Sequence, residues 1–473
     1  MLPALSRAEE AELRWTNTVR LSTSYQFNEV PPLADNRCWS GINCGYGSDF
    51  TQGRADWLSE LDIERGGWAL KASLEARKDR VEPDSSYFQL HEANLHGAID
   101  LAGRPLSLSL GRQSVIWGES LTFAGNGIAG AQAPVDATYG FGTEGYAASA
   151  HFLPVAQISA NWQLADRVTL LAYQQFEWRR NRIDPEDPYA PAGDVLGDPY
   201  LKRIALYFPK YGPISYDHVA GRTPSGLDQF GVGINLRQNE WDIGLYALEF
   251  DAKTPALVYY RDEVRTYSLN YARAIGLVGA SLAGSVGEAA VGAELSMRRH
   301  MPLTDGGIFL YEGGDGGEAG PRGNTVHGQI SLTLPIEPSP LLPGGATWTS
   351  EIAANHLAVV TANPDRLSPG RTRDAAALRS TLVLQFYQVV PRLDLSVPVS
   401  LGYGIAGYSS VIPEMNRASG DISIGVTATF DTAWTAGFIV THYFGSDDLP
   451  IPGYAGRLLS EWDKISATLQ YSF

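Results

Sequence analysis

The sequence predicts an all-β protein, a transmembrane antiparallel β-barrel of about eighteen strands with long extracellular loops and short periplasmic turns. Three observations carry this expectation. Apolar and polar residues alternate with a period of two along the chain, the connections alternate between short and long, and the sequence ends on Leu469, Tyr471 and Phe473 at two-residue steps. Side chains point to opposite faces along a strand, so a period of two gives each strand one apolar and one polar face. In the last segment Ile465, Ala467, Leu469, Tyr471 and Phe473 share one face, and Lys464, Ser466, Thr468, Gln470 and Ser472 the other.

Taken in order, the pattern places strands near 14–27, 55–65, 67–80, 87–101, 105–117, 155–164, 167–180, 227–238, 240–252, 262–273, 288–299, 324–335, 346–358, 374–390, 392–406, 417–430, 433–445 and 460–473. Many are close to the ~10 residues that a tilted strand needs to cross a bilayer. Trp68, Leu70, Ala72, Leu74 and Ala76 alternate with Lys71, Ser73, Glu75 and Arg77; Val168, Leu170, Ala172, Phe176 and Trp178 alternate with Thr169, Tyr173, Gln175, Glu177 and Arg179. Short turns such as Arg65-Gly66-Gly67, Ala102-Gly103-Arg104, Ala165-Asp166, Asn239, Val390-Pro391 and Asp431-Thr432 alternate with long stretches at 28–54, 118–154, 181–226, 300–323 and 446–459. Two connections, 274–287 and 336–345, are long where short ones are expected. The first of these, rich in Gly and Ser, reads as a connection or a short helix. An even strand count puts both termini in the periplasm, with 1–13 a short periplasmic segment and 14–473 the barrel. Aromatic residues towards strand ends (Trp15, Tyr25, Phe27, Trp57, Trp68, Trp117, Trp178, Trp241, Trp434, Tyr443, Trp462) fit interfacial girdles.

Composition agrees. The chain has 473 residues, 36 basic against 52 acidic, a net charge of −16, 44% hydrophobic and 19% charged residues, 50 Gly, 23 Tyr, 11 Trp and 2 Cys. Disorder is excluded by the many aromatics and few charges, and a disulfide scaffold by the two cysteines. Nucleic acid is a poor partner for an acidic chain. The opening MLPALSRAEE has no basic stretch followed by an apolar one, so no signal peptide is visible. The barrel pattern nonetheless predicts the outer membrane of a Gram-negative bacterium, and the Phe473 ending resembles the signal by which barrel-assembly machinery recognises its clients.

The most distinctive run is Gly111-Arg112-Gln113-Ser114-Val115-Ile116-Trp117-Gly118-Glu119-Ser120. It is followed by Asn126-Gly127-Ile128, Pro134-Val135-Asp136, Gln174-Gln175-Phe176-Glu177-Trp178 and Arg182-Ile183-Asp184-Pro185, with Ser59-Glu60-Leu61-Asp62 upstream. In this ordered series, from about Trp57 to the end, the chain resembles the domain-of-unknown-function family thirteen-zero-two of proteobacteria. The resemblance implies an outer-membrane barrel associated with hydrophobic compounds, working alongside an inner-membrane exporter and a periplasmic carrier. The stretch between Asp136 and Val155 lacks the long loop of the family pattern, and the loop after the seventh strand also differs.

The segment 118–154 follows Trp117, is rich in glycine and carries few charges. Such a loop is a poor free-standing loop in water. It is expected to fold into the lumen as a hatch, with Trp117, Glu119, Asn126 and Asp136 beside the permeation path; the competing reading is an extracellular flap. Glu60, Asp62, Glu75, Arg77, Glu92, Asp100, Arg112, Glu177 and Arg179 are expected to face the lumen, with Tyr173 adding an apolar surface. Their cross-strand pairing reads first as a stiffening network and second as a selectivity device. Cys38 and Cys44, close together in the first long loop, read as a disulfide of an oxidising compartment, since a metal needs more ligands and a redox pair a tighter spacing. The eight histidines are scattered and form no metal or catalytic motif, and Gly231-x-Gly233 opens no helix, so neither an enzyme nor a cofactor is expected. Acidic loop runs are solvated tips, or bind Ca²⁺ or bridge through cations to lipopolysaccharide.

The functional expectation is an outer-membrane channel or transporter for small hydrophobic or amphipathic molecules, embedded in outer-membrane lipid. The alternatives are a polysaccharide export porin resembling the alginate exporter, whose lumen should be basic, and a closed structural or adhesive barrel.

Overall fold

A computed structural model describes residues 11–27, 49–81, 86–139, 152–183, 203–208, 212–221, 223–260, 265–305, 310–311, 320–445 and 462–473. Strands are numbered in chain order. The wall begins with β1 (Glu12–Gln26), β2 (Asp49–Arg65), β3 (Trp68–Asp79), β4 (Tyr87–Leu101), β5 (Arg104–Gln113), β6 (Val155–Ala165) and β7 (Val168–Gln175). Two short strands follow, β8 (Arg203–Phe208) and β9 (Gly212–His218), before the wall resumes with β10 (Phe230–Gln238) and β11 (Trp241–Phe250). After β12 (Ala256–Tyr260) and β13 (Thr266–Asn270), the wall takes up β14 (Ile275–Val286) and β15 (Ala289–Pro302). The two-residue β16 (Leu310–Tyr311) precedes the last wall strands: β17 (Arg322–Ile336), β18 (Ala346–Ala362), β19 (Asp374–Val390), β20 (Leu393–Ala406), β21 (Gly420–Phe430), β22 (Trp434–Phe444) and β23 (Lys464–Ser472).

The wall is one 18-stranded antiparallel sheet. It closes where β1 meets β23 in register from Thr18↔Ser472 to Gln26↔Lys464. Asn17 and Phe473 extend the seam by exchanging both backbone hydrogen bonds, at 2.8 and 2.9 Å. Closure leaves no unpaired sheet edge, which a bilayer would not tolerate. The outward positions are apolar and exposed, among them Trp15, Leu21, Phe88, Leu110, Val278, Ile330, Ile424 and Phe438. The inward ones include the buried Arg20, Asp56, Glu75, Arg77, Glu294, Arg298, Glu351 and Ser423. This inversion of a soluble protein is what a lipid exterior and a polar interior require, and the molecule is a transmembrane barrel.

Tight hairpins occupy one end. Gly66 and Gly67 have φ of +61° and +77°, the left-handed pair that a two-residue hairpin needs. At the other end the β7–β10, β11–β14 and β15–β17 connections contribute the five remaining strands to a second sheet. There β8 and β9 pair antiparallel, β9 joins β13 parallel, β13 joins β12 antiparallel, and β12 joins β16 parallel.

Four sequence expectations need correction. The tenth wall strand is not 262–273 but β14, Ile275–Val286, which reads as a connection in sequence. Within 262–273, Thr266–Asn270 belongs to the second sheet and is buried throughout. The shift leaves the total at eighteen and turns one of the two anomalous connections into a short hairpin between β14 and β15. The other, between β17 and β18, stays on the short-turn side and is held by reciprocal Ser339–Leu342 backbone bonds at 2.9 and 3.0 Å. Third, β5 ends at Gln113, so Trp117 is not a wall residue. Fourth, β7 ends at Gln175, so Glu177 and Arg179 lie beyond its end. Cys38 and Cys44, and with them the expected disulfide, lie outside the described residues.

Candidate functional site: an inward-folded segment and the lumen beside it

After Gln113 the chain leaves the wall, and residues 114–139 run through the barrel interior. Irregular backbone in such a place must find a partner for each N–H and C=O, and wall side chains on β15, β17 and β18 supply many of them. Glu294 accepts N–H bonds from Glu119 and from Ile128, the latter at 2.8 Å. Glu351 accepts from the backbones of Leu121, Thr122 and Phe123 at 3.1, 2.6 and 2.9 Å, and from the Thr122 hydroxyl at 2.6 Å. Arg298, fully buried, donates to the carbonyls of Gly125, Asn126 and Gly127 at 3.0, 2.6 and 2.9 Å. Asn126 sits between His327 Nδ1, 3.0 Å from its Oδ1, and the Ala354 carbonyl, to which its Nδ2 donates at 3.3 Å.

The segment then makes one helical turn, α1 (Ala129–Gln132), and returns. Lys253 Nζ donates to the Ala131 carbonyl at 2.8 Å, and Gln175 Nε2 to that of Gln132 at 2.7 Å. Gln132 Oε1 in turn accepts the Trp117 N–H at 2.5 Å. Burial brings the Lys253 ammonium down to about 7, against the opposing pull of Asp251.

Apolar packing completes the seat. Trp117 stacks on Tyr246 with ring centres 5.5 Å apart and meets the edge of Tyr173 at 5.1 Å. Ile128, Leu171, Leu248, Phe250, Ile275 and Leu277 join the same cluster. Wall glycines make room for it. A Cβ on Gly231 would stand 2.4 Å from both Leu248 and Tyr173 and 3.0 Å from Trp117; one on Gly279 would stand 3.0 Å from Ile128.

The far end of the segment is tied into a charge network. Asp136, buried, pairs with Arg182 at 2.9 Å, and Arg182 also donates to Tyr87 Oη at 3.0 Å and Gln89 Oε1 at 2.7 Å. Glu75 accepts from Tyr87 and Gln89, both at 2.7 Å. Arg77 pairs with Asp56 and Arg54 with Asp79, each at 2.6 Å, and both arginines donate to Thr138 at 2.7 Å. The sequence runs Pro134-Val135-Asp136 and Arg182-Ile183 therefore meet in space, joined also by a parallel bridge between Asp136 and Arg182.

The singled-out residues divide into groups. Trp117, Glu119, Asn126 and Asp136 lie in the inward segment, and Tyr173, Glu75 and Arg77 lie on the interior wall against it or its network. Arg179 donates to the Pro154 carbonyl at 3.0 Å and Gln89 at 3.3 Å. Glu60 and Asp62 share the strand face of Asp56, where Asp62 stands opposite Arg14 and Lys71 in register. Glu92 accepts from Asn94 at 2.7 Å and faces Lys71 at 3.9 Å. Arg112 and Glu177 are placed differently from the lumen expectation. Arg112 shares its face with Leu106, Leu108 and Leu110, stands opposite Ala93 and Ala156, and forms an ion pair with Glu177. It also donates to the Leu90 carbonyl at 2.7 Å, so the pair belongs to the outward face near the end of β5. The residues that sequence reasoning passed over are Glu294, Arg298 and Glu351, charged inward positions whose neighbours on the same strand face, Gly292, Ser296, Thr349 and Ala353, are small. That contrast is the signal that could have found them.

Beside the inward segment lies a cavity of about 830 Å³, bounded by Val115, Ile116 and Trp117 together with inward residues of β3–β7 and β10.

A closed eighteen-stranded wall, apolar outside and partly filled inside by one of its own loops, defines the protein as a transmembrane β-barrel of porin-like architecture. The family model described as "Protein of unknown function (DUF1302)" matches residues 82–473, and the chain belongs to that family. No curated protein matches it. Among solved structures the chain is similar to the outer membrane channel DcaP of Acinetobacter baumannii, at 10% identity over 98% of this chain and 97% of that one, with a TM-score of 0.42. It is also similar to Acinetobacter baumannii OccAB4 (10% identity, 99% of each chain, TM-score 0.46) and Pseudomonas aeruginosa OccD3 (9%, 100% and 96%, TM-score 0.44).

Proposed function

We propose that the protein is a channel of the Gram-negative outer membrane that passes small amphipathic or hydrophobic molecules, with the inward segment as its constriction. The observation that carries this reading is the position of residues 114–139. They narrow the lumen and leave beside them a cavity of about 830 Å³, within the range that small-molecule sites occupy. An apolar cluster around Trp117 and Tyr173 in a lumen that otherwise carries buried polar groups supports an amphipathic cargo over a salt-like one. The inward arginines speak against a polyanion exporter, because Arg54, Arg77, Arg182 and Arg379 are each neutralised by an aspartate between 2.6 and 2.9 Å away. Lipopolysaccharide and the barrel-assembly machinery are the partners this location entails, and an inner-membrane exporter with a periplasmic carrier would supply or receive the cargo.

The test is single-channel conductance of the protein in planar bilayers beside a variant lacking 122–145. A larger conductance in the variant supports the constriction, and an equal one overturns it. Current from neither protein would point to the closed, adhesive barrel. Liposome uptake of an apolar solute against a sugar of equal size then tests the cargo.

A further inference from the structure

The interior wall beside the inward segment is itself two-faced, and the strand register places the seam. One row of inward residues runs around the wall as His96, Ser109, Ser159, Tyr173, Gly231 and Leu248, each opposite the next on the neighbouring strand. The adjacent row runs as Ala98, Ser107, Asn161, Leu171, Gly233 and Tyr246. In both rows small or polar groups on β4–β6 give way to apolar and aromatic ones from β7 onward, with glycines on β10 between the large side chains. The cavity straddles that seam, with Ser107, Ser159 and Asn161 on one side, Leu171 on the other, and Val115, Ile116 and Trp117 from the inward segment along it.

The hydrogen-bonding groups beside the seam, Ser107, Ser159 and Asn161, are neutral. They make no side-chain hydrogen bond among the described residues, so their donors and acceptors are open to the lumen. The charged groups in the lining are Lys71 and Glu92, which face each other at 3.9 Å and sum to zero. Next to Lys71 in register stands Asp62, a further negative group on the approach. A carboxylate entering here would give up water without gaining an unshared cation, a cost that hydroxyl and amide partners do not offset.

We infer that the cavity is a binding site for an uncharged amphipathic molecule: a flat apolar body lies against Leu171 and the Trp117 side, and hydroxyl or carbonyl groups along one edge face Ser107, Ser159 and Asn161. This names the substrate class of the proposed channel and takes its transport meaning from that reading. Binding itself requires no flux.

The test uses the full chain in nanodiscs with two probes of the same size, 2-naphthyl β-glucoside and 2-naphthyl β-glucuronide, which differ by a hydroxymethyl group against a carboxylate. Binding is followed by naphthyl fluorescence and by calorimetry. The glucoside is expected to bind roughly tenfold or more tightly than the glucuronide, because a site of neutral hydrogen-bonding groups leaves a buried carboxylate uncompensated. Ser107→Val combined with Asn161→Leu should weaken the glucoside at least about fivefold, and Ser159→Thr, which keeps a hydroxyl, should bind as the unaltered protein does. All variants are first checked for the heat-resistant gel mobility of a folded barrel. Equal or tighter binding of the glucuronide overturns the inference, as does glucoside binding indifferent to Ser107 and Asn161. Selective binding without flux in the conductance assay would overturn the channel and leave the site standing; flux without selectivity would do the reverse.

Discussion

The residues that hold the inward segment carry unequal weight, and burial decides it. Asp136 and Arg182 have side chains 0% and 12% exposed at 2.9 Å, whereas Arg104 and Asp166 are 40% and 86% exposed at 2.5 Å. Removing one member of a buried pair strands the other charge, at about 3–5 kcal/mol, while exposed pairs contribute little. Asp136→Asn should therefore lower the denaturation midpoint of the detergent-solubilised barrel clearly, and Asp166→Asn should leave it in place; equal shifts would contradict the assignment. Lys253 offers a pH handle. Its folded value of about 7 lies below the ordinary 10.5, so between these limits the unfolded chain holds a proton that the folded one does not. Stability then rises as pH climbs from 7 to 10.5 and is lost again as it falls. Lys253→Met should flatten that slope in thermal denaturation at pH 7 to 10, and an unchanged slope would place its origin elsewhere. Asp251 and Arg298 are the charged groups that act on this ammonium.

Elements differ in how openly the sequence declares them. β23 and β3 alternate cleanly because one face meets lipid and the other the lumen, and their limits are close to the expected ones. β14 hides because its inward face is apolar too: Ile275 and Leu277 are buried in the cluster that also holds Ile128, and Gly279 is small to admit that same side chain. A strand whose two faces both meet apolar partners has no period of two to read. β13 misleads for the opposite reason: Thr266, Ser268 and Asn270 alternate with Tyr267 and Leu269 like a wall strand, yet all five are buried and the strand belongs to the second sheet. The inward segment itself was legible as a glycine-rich, nearly uncharged loop, but its anchors were not, since Glu294, Arg298 and Glu351 lie more than 160 residues downstream of the groups they hold. Arg112 misled through its charge: the row of Leu106, Leu108 and Leu110 fixes its direction outward. The glycine seats can be tested directly. Gly279→Leu puts a side chain where Cβ alone approaches Ile128 to 3.0 Å, and should displace α1. The readout is faster proteolysis within 114–139 at unchanged barrel mobility on gels, and protection equal to that of the unaltered protein would count against the seat.

For the molecule as a whole, the division between lipid-facing and interior aromatics is open to measurement. Trp15, Trp68, Trp348 and Trp434 are 65%, 37%, 37% and 44% exposed on the outer surface, while Trp117 is 9% exposed inside. In bilayers of brominated lipid the first four should be quenched when each is the sole tryptophan, and Trp117 should not. Quenching of Trp117 to the same extent would place it outside the barrel. The contacts of the inward segment have a further consequence, for the order of assembly. Trp117 meets Tyr173 and Tyr246 on β7 and β11, but the hydrogen bonds from 119–128 to Glu294 and Glu351 span 166 to 230 residues of chain, so that stretch lacks its polar partners until β15 and β18 are in place. A finished cylinder, sealed by Thr18↔Ser472 to Gln26↔Lys464, would have to thread a segment with unsatisfied backbone through its own mouth. Capture of the loop by a still-open sheet avoids that passage, and the β1–β23 seam then zips last around a passenger already aboard. During refolding, loss of Trp117 quenching by an aqueous quencher should therefore come no later than heat-resistant mobility, and the opposite order would mean that the vessel is sealed before it is filled.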